Sequence, residues 1–194
     1  MAEAFETIIL RFRDLVTAGN ETIERHQEII RDQEYVWWGW WKKGHEQLPE
    51  DDFAILRQKG RGKKPLSIYL IDSGRNLAYR AICKEIKMLP EEEFESPEKE
   101  KTPAYYRDQR YFAWFCFTSL EKVEESEITG VSYVDRKALF SDPEMDYSKF
   151  DNKKIYSIAE LVQQNRTVWF VRKARDTDRC NEIVLLNSGE GEPA

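Results

Sequence analysis

Residues 111–123, "YFAWFCFTSLEKV", decide the fold of this chain, because both alternating phases of the run are apolar up to Phe117. A strand with one solvated face alternates apolar and polar side chains, so a run that is apolar on both phases belongs to a strand covered on two sides. Its neighbours must include a helix or a second layer of sheet.

The segments around it supply those neighbours. "PLSIYLIDS" (65–73) and "NLAYRAICKEI" (76–86) read as two strands joined through Ser73-Gly74-Arg75, a hairpin. "TIILRFRDL" (7–15) sets Ile8, Leu10 and Phe12 against Ile9, Arg11 and Arg13, the period of a first strand with one buried face. "EYVWWGWW" (34–41), "TVWFVRKA" (167–174) and "NEIVLLN" (181–187) are further strands, the last two closing around the turn "RDTDRC". Between them, residues 18–34 read as a helix with Asn20 or Thr22 as N-cap and Ile23, His26, Ile29 and Ile30 on one stripe. Residues 49–60 read as a short helix with Pro49 near its start, acids in the first turn and Gly60 at its end, and "SIAELVQQN" as another starting near Ser157. "LPEEEFESPEKEK" (89–101) is acidic, holds two prolines and reads as a solvated, mobile excursion.

Six or seven strands and two or three short helices, without regular strand–helix alternation, predict an α+β fold: a small curved or closed mixed sheet flanked by short helices. The expectation is a single domain over 1–194, with an acidic insertion around 89–102 and a polar tail at 188–194. At 194 residues, 41% hydrophobic and 34% charged, the chain has enough material for one substantial core. A net charge of −6 argues against coating nucleic acid through bulk electrostatics, although a local basic face is compatible with it. Cys83, Cys116 and Cys180 are widely spaced and odd in number, which gives no zinc or redox signature and fits a reduced, cytoplasmic setting. No stretch approaches the ~18 to 20 apolar residues of a membrane helix.

"YVWWGWW" (35–41) gathers four of the six tryptophans. On a strand, Trp37, Gly39 and Trp41 share one face and Val36, Trp38 and Trp40 the other, so neither face is polar. One reading buries both faces. The other takes Gly39 as the mark of a close approach and notes that side chains two apart stand ~6.6 to 7 Å from each other, about the opening that sandwiches one flat ring. Four buried indoles would also need four acceptors for their N–H groups. Trp114 and Trp169 lie on other strands and are placed to complete a cage or, in the plainer reading of Trp114, to fill the core.

"RQKGRGKKP" (57–65) carries five cations in eight residues with no acid among them, and Lys42 and Lys43 follow Trp41. Flat rings beside cations are the chemistry of nucleic-acid recognition; a solvated loop is the alternative. Catalytic signals are thin. His26 falls on the inner stripe of its helix, His45 has only Glu46 beside it, and no phosphate-cradling, zinc-protease or nucleophile-turn motif is present. Asp72 reads as a lone acid at a site mouth or as a turn cap.

"AYRAICKEI" (78–86), the acidic excursion and "YYRDQRYFAWFCFTSLEKV" (105–123) together resemble the PUA-like superfamily, in particular its EVE, ASCH and YTH branches, where a strand of the "YRA…I" kind precedes a barrel strand with an "AWF"-like run. The likeness covers residues 35–187, and "ILRFRDL…EYVWWGWWKKG" (9–44) also looks like accessory modules ahead of phosphoesterase or NTPase effectors in prokaryotic defence proteins. The resemblance implies that the α+β fold is a PUA-like small curved or closed mixed β-barrel flanked by short helices, and that the chain is a reader that flips a modified base into an aromatic cage, as methylation-dependent restriction systems do on DNA. Carried over, the cage would draw on Trp37, Trp38, Trp40, Trp41 and Trp114, with Asp72 or Ser73 as polar contacts.

The resulting expectation is a non-enzymatic module without cofactor or metal that binds a methylated base in DNA, in preference to RNA, in a restriction or antiviral setting, alongside an effector NTPase or nuclease domain and away from any membrane. Phosphate contacts would come from Lys42, Lys43, Arg57, Lys59, Arg61, Lys63 and Lys64. Two alternatives remain: a sensor for a free nucleotide or similar small signal that controls an effector, and a protein-interaction domain whose exposed tryptophans are hot spots.

Overall fold

The doubly apolar run becomes β5 (Ala113–Val123), one strand of a seven-stranded mixed sheet. A computed structural model describes residues 4–14, 21–47, 50–134 and 152–180. The other strands are β1 (Thr7–Phe12), β2 (Val36–Trp40), β3 (Leu66–Asp72), β4 (Leu77–Met88), β6 (Val131–Tyr133) and β7 (Val168–Lys173), in the order β2-β5-β4-β3-β1-β7-β6. The helices are α1 (Thr22–Gln33), α2 (Glu50–Gly60), α3 (Glu125–Thr129) and α4 (Ile158–Val162). No described helix is long and apolar enough to cross a membrane. The expected hairpin is β3–β4, with Asp72 opposite Leu77, and β1 lies parallel to β3 and antiparallel to β7. The short elements α3 and β6 carry too few residues for a periodic signal and were not anticipated. The strand expected at 181–187, the tail at 188–194 and Asn20 lie outside the described residues.

Of the two expectations, a curved or a closed sheet, the described residues give the curved one. Among the described residues, β2 and β6 are the two edges of the sheet and share no backbone ladder, so the sheet is curved but open. Two register shifts in β4, at Ile82/Cys83 and Cys83/Glu85, interrupt its ladder with β5, as strand-bending bulges do. The curl is bridged by side chains instead: Trp40 Nε1, on the β2 edge, donates to Thr167 Oγ1 beside β7 at 3.0 Å.

The main core lies on the face that carries Ile8, Leu10, Trp38, Trp40, Phe115 and Phe170, with Ile23 of α1 and Phe53 and Leu56 of α2 packed into it. The opposite face of the central strands is also covered, since Ile9, Ile71 and Trp169 pack with Ile128 of α3 and Ile158 and Leu161 of α4. β1 is therefore buried on both faces, where a single buried face was expected. Helix α1 carries its expected stripe, with Ile23 and His26 buried and Ile29 and Ile30 packed against the core. Its first amide is capped from outside the helix, Thr22 N donating to Asp14 Oδ2 at 3.0 Å. Ser157 caps α4 as expected, its Oγ accepting from Glu160 N.

His26 is a core histidine. Its Nδ1 donates to the Thr22 carbonyl at 2.7 Å, its ring lies 4.4 Å from that of Trp38, and burial pulls its pKa down to about 4 against the opposing effect of that bond. The unfolded chain, with an ordinary histidine near ~6.5, binds this proton more readily than the fold does, so acidification favours unfolding. Stability to urea should fall as pH drops from about 6.5 to 4, with a contribution approaching ~1.4 kcal/mol per pH unit. That contribution should vanish in His26→Gln; an unaltered pH profile in the variant would show that the proton is not excluded there.

Candidate functional site

A cavity of about 420 Å³ opens where β1 ends, inside the ~300–1,000 Å³ range of small-molecule sites. β2 supplies one wall through Trp38, Gly39 and Trp40, and Trp41 follows just past the strand. Arg11, Phe12 and Arg13 come from the end of β1, Ser73 from the hairpin turn, and Thr167 from the residue before β7. The last wall is Tyr106 and Tyr111, from the connection between β4 and β5.

That connection contains the acidic stretch expected to be a solvated excursion, and its residues 89–93, 99 and 100 are exposed. The connection nonetheless lies against the sheet because its apolar groups have somewhere to go: Phe94 of the acidic stretch, and Tyr106 and Tyr111 after it, pack on Trp37, Trp114 and Cys116. Glu98 latches it down, accepting from Trp37 Nε1 at 2.8 Å and Tyr35 Oη at 2.9 Å. The Trp37 bond, helped by that of Tyr35 and by nearby Lys101 and Lys87, holds the Glu98 carboxyl below its usual range. Lys84 and Lys101 place their ammonium groups 3.4 and 3.5 Å from the centre of the Tyr35 ring.

The structure separates the tryptophans by strand phase. Trp37 and Trp114, at 1% and 0% exposure, face the acidic connection, and their indoles are satisfied by Glu98 and by the Phe94 carbonyl at 2.9 Å. Neither borders the cavity. Trp169 is buried on the far face and donates to Gln164 Oε1. Trp38 and Trp40, at 2% and 1% exposure, form the cavity wall with little surface free, and Trp41, at 65%, is the ring that stands open. Gly39 explains how a tyrosine fits beside them. A Cβ built at this position would stand 2.3 Å from the Tyr111 ring, so the ring occupies the space of the missing side chain. Tyr111 then meets Trp114 edge to face at 5.2 Å and Tyr106 at 5.7 Å. Burial pushes the Tyr111 phenol up to about 12, so it presents a neutral hydroxyl at neutral pH.

Arg11, Arg13 and Lys43 give the cavity a positive rim. Arg11 donates to the Gln164 carbonyl at 2.9 Å and Lys43 to the Asn165 side chain. The one buried acid behind this rim, Glu46, is spent internally, accepting from Thr167 N at 2.9 Å, Thr167 Oγ1 at 2.7 Å and Lys43 N at 2.9 Å. Of the two polar contacts named from sequence, Ser73 borders the cavity, whereas Asp72 does not. The Asp72 carboxylate accepts from Gly74 N at 2.8 Å and pairs with Arg75, the work of a turn cap.

The basic residues divide in the same way. Lys42 turns into its own loop, donating to the Glu46 carbonyl at 3.0 Å. Arg57, Lys59, Arg61, Lys63 and Lys64 are not in the cavity at all: Lys59 and Lys64 border a different hollow, at the Thr7 end of β1. Sequence reasoning missed Arg11, Arg13, Tyr106, Tyr111 and Thr167 as cavity residues. The signal for the arginines was present, as charges on the phase that Ile9 begins.

Gly39→Ala should destabilise the fold by about 1–3 kcal/mol in urea unfolding, because the new methyl group displaces the Tyr111 ring. Adding Tyr111→Ala should relieve part of that loss; strict additivity of the two changes would count against the contact.

No curated protein and no solved structure gives a significant match to the chain. A family model described as Pua-like matches residues 8–182, which takes in every described strand but the first residue of β1. A curved mixed sheet, an aromatic cavity at one end of it and that match lead to one assignment: the chain belongs to the Pua-like family.

Proposed function

We propose that this chain is a nucleic-acid reader that takes a single modified base, flipped out of its strand, into the cavity at the end of β1. The observation that carries the reading is the combination of an open indole, Trp41, with two tyrosines and a positive rim of Arg11, Arg13 and Lys43 around one hollow. Flat rings reward a planar base, and the cations suit the phosphates on either side of it. Extrusion costs a few kcal/mol and stacking returns ~1–3 kcal/mol per base, so the balance must come from phosphate contacts and depends on salt. The Tyr106 and Tyr111 side chains border the hollow, and the Ser73 hydroxyl, which donates to the Phe12 carbonyl at 3.2 Å, keeps its lone pairs to accept from the edge of the base.

DNA carrying a methylated base is the favoured partner, on the resemblance to readers of restriction and defence systems, with an effector NTPase or nuclease as the device such a reader would direct. One observation favours a second reading. The cavity has its own three cations, enough for the phosphate of one nucleotide, so a free nucleotide that signals to an effector would fit the same hollow. The protein-interaction reading relied on several exposed tryptophans, and only Trp41 among the six is exposed.

Tryptophan fluorescence should be quenched by oligonucleotides with a methylated base more strongly than by unmodified ones, and less at high salt than at low. Trp41→Ala should weaken binding at least fivefold while leaving the thermal midpoint near that of the parent, as expected for an exposed side chain. Quenching by free nucleotides alone, insensitive to salt, would replace the reader with the sensor; no quenching by either would remove both.

A further inference from the structure

We propose that the hollow at the opposite end of β1 is a second polyanion site, which holds backbone phosphates of a nucleic acid at a distance from the base cavity. It is an open depression of about 730 Å³ between the start of β1, the turn from α2 into β3, and the α3–β6 turn with the end of β7. Lys59, Lys64 and Lys173 reach it from three different elements. None of the three has a carboxylate partner among the described residues, on a chain whose net charge is −6.

The other charged groups in the hollow are already committed. Glu127 is held by Arg80 through bonds of 3.1 and 3.2 Å, and Arg172 by Asp178 through two bonds of 2.7 Å. Glu6 accepts the backbone N–H of Lys173 at 3.0 Å and is the single carboxylate left to set against three ammonium groups. Three lysines converging on one depression repel one another, and a multivalent anion relieves that repulsion. The plainer account, that cations at a helix C-terminus complement its dipole, covers Arg57 and Lys59 in the last turn of α2. It does not reach Lys64, beyond the helix, or Lys173, at the end of β7.

The separation sets the geometry of the contact. Thr7 borders this hollow and Phe12 the aromatic cavity. Five residue steps at ~3.3 Å put the two about 17 Å apart along β1. In a duplex that advances ~3.4 Å per nucleotide on each strand, this corresponds to about five nucleotides. Exposed lysines on flexible stems suit such contacts, which position a strand without reading its sequence. The identity of the polyanion rests on the nucleic-acid reading of the cavity, and the test separates the two.

The test compares the full chain with the triple variant Lys59→Gln, Lys64→Gln, Lys173→Gln. The probes are a fluorescein-labelled 24-base-pair duplex with one central methylated base, the methylated nucleosides alone, and polyglutamate as an acidic peptide. The variant should bind the duplex at least tenfold more weakly at low salt, with a log–log salt slope shallower by about 2 to 3, since each phosphate no longer neutralised removes about 0.9 from the slope. Its quenching by nucleosides should match the parent, and the corresponding triple arginine variant should keep the parental slope, which excludes a folding defect as the cause. An unchanged slope and affinity for the duplex would overturn the second site even if nucleosides still quench. Silence of the nucleosides with an altered duplex slope would leave the second site standing and remove the base cavity. If polyglutamate binds the parent and not the variant while duplex affinity stays the same, the hollow belongs to an acidic peptide and the proposal fails.

Discussion

Burying an indole N–H without an acceptor costs about 1–3 kcal/mol, and the way Trp40 avoids that cost shapes the molecule. The acceptor is Thr167 Oγ1, which lies across the sheet beside β7 and is itself held by the carboxylate of Glu46. The bond couples an edge strand to a strand five places away in the sheet order, so an open sheet behaves as a curled one. The same tie pins the loop after β2 to the segment before β7, where His45 and Lys43 also reach Asn165. The cavity sits directly inside this junction. Removing the Thr167 hydroxyl would leave the buried Trp40 N–H unpaired, at about 1–3 kcal/mol, and take from Glu46 one of its three donors, the Thr167 and Lys43 amides remaining.

Gly39 works on the opposite face of the same strand. With no side chain there, the Tyr111 ring settles on the backbone of β2, and the acidic connection is drawn in behind it. The connection is rich in carboxylates, yet the one that matters structurally, Glu98, is directed inward to two aromatic donors. Its remaining acids face water or pair with lysines, as Glu95 does with Lys99. A segment can thus be polar in composition and still be firmly seated, provided a few aromatic residues find a complementary surface.

The sequence made the strands legible because their periodicity is a local property. Residues 65–86 read as a hairpin and 111–123 as a doubly covered strand, and both are present in the sheet. The alternation in β2 likewise separated Trp37 from Trp38 and Trp40. What covers each side could not be read, since the covering groups, Tyr106 and Tyr111, come from a stretch whose charge masks them. Whether the sheet is curved or closed is left open by the sequence for a related reason: closure depends on pairing between distant edges, which no local pattern encodes. Proximity in sequence also misled. Lys43 and the 57–64 turn are near neighbours in the chain, but the eleven residues of α2, at ~1.5 Å each, carry the backbone about 16 Å back to the other end of the sheet.

The parallel pairing of β1 with β3 has a consequence for synthesis of the chain. The crossover between them takes β2 to the far edge, where among the described residues its one ladder is with β5. A strand of three indoles therefore leaves the ribosome long before residues 113–117, its hydrogen-bonding partner, exist. At ~5–20 residues per second that interval is on the order of ten seconds. Throughout it, the stickiest segment of the protein has no ladder to join, and a chaperone or the early packing of α1 must shield it from neighbouring nascent chains.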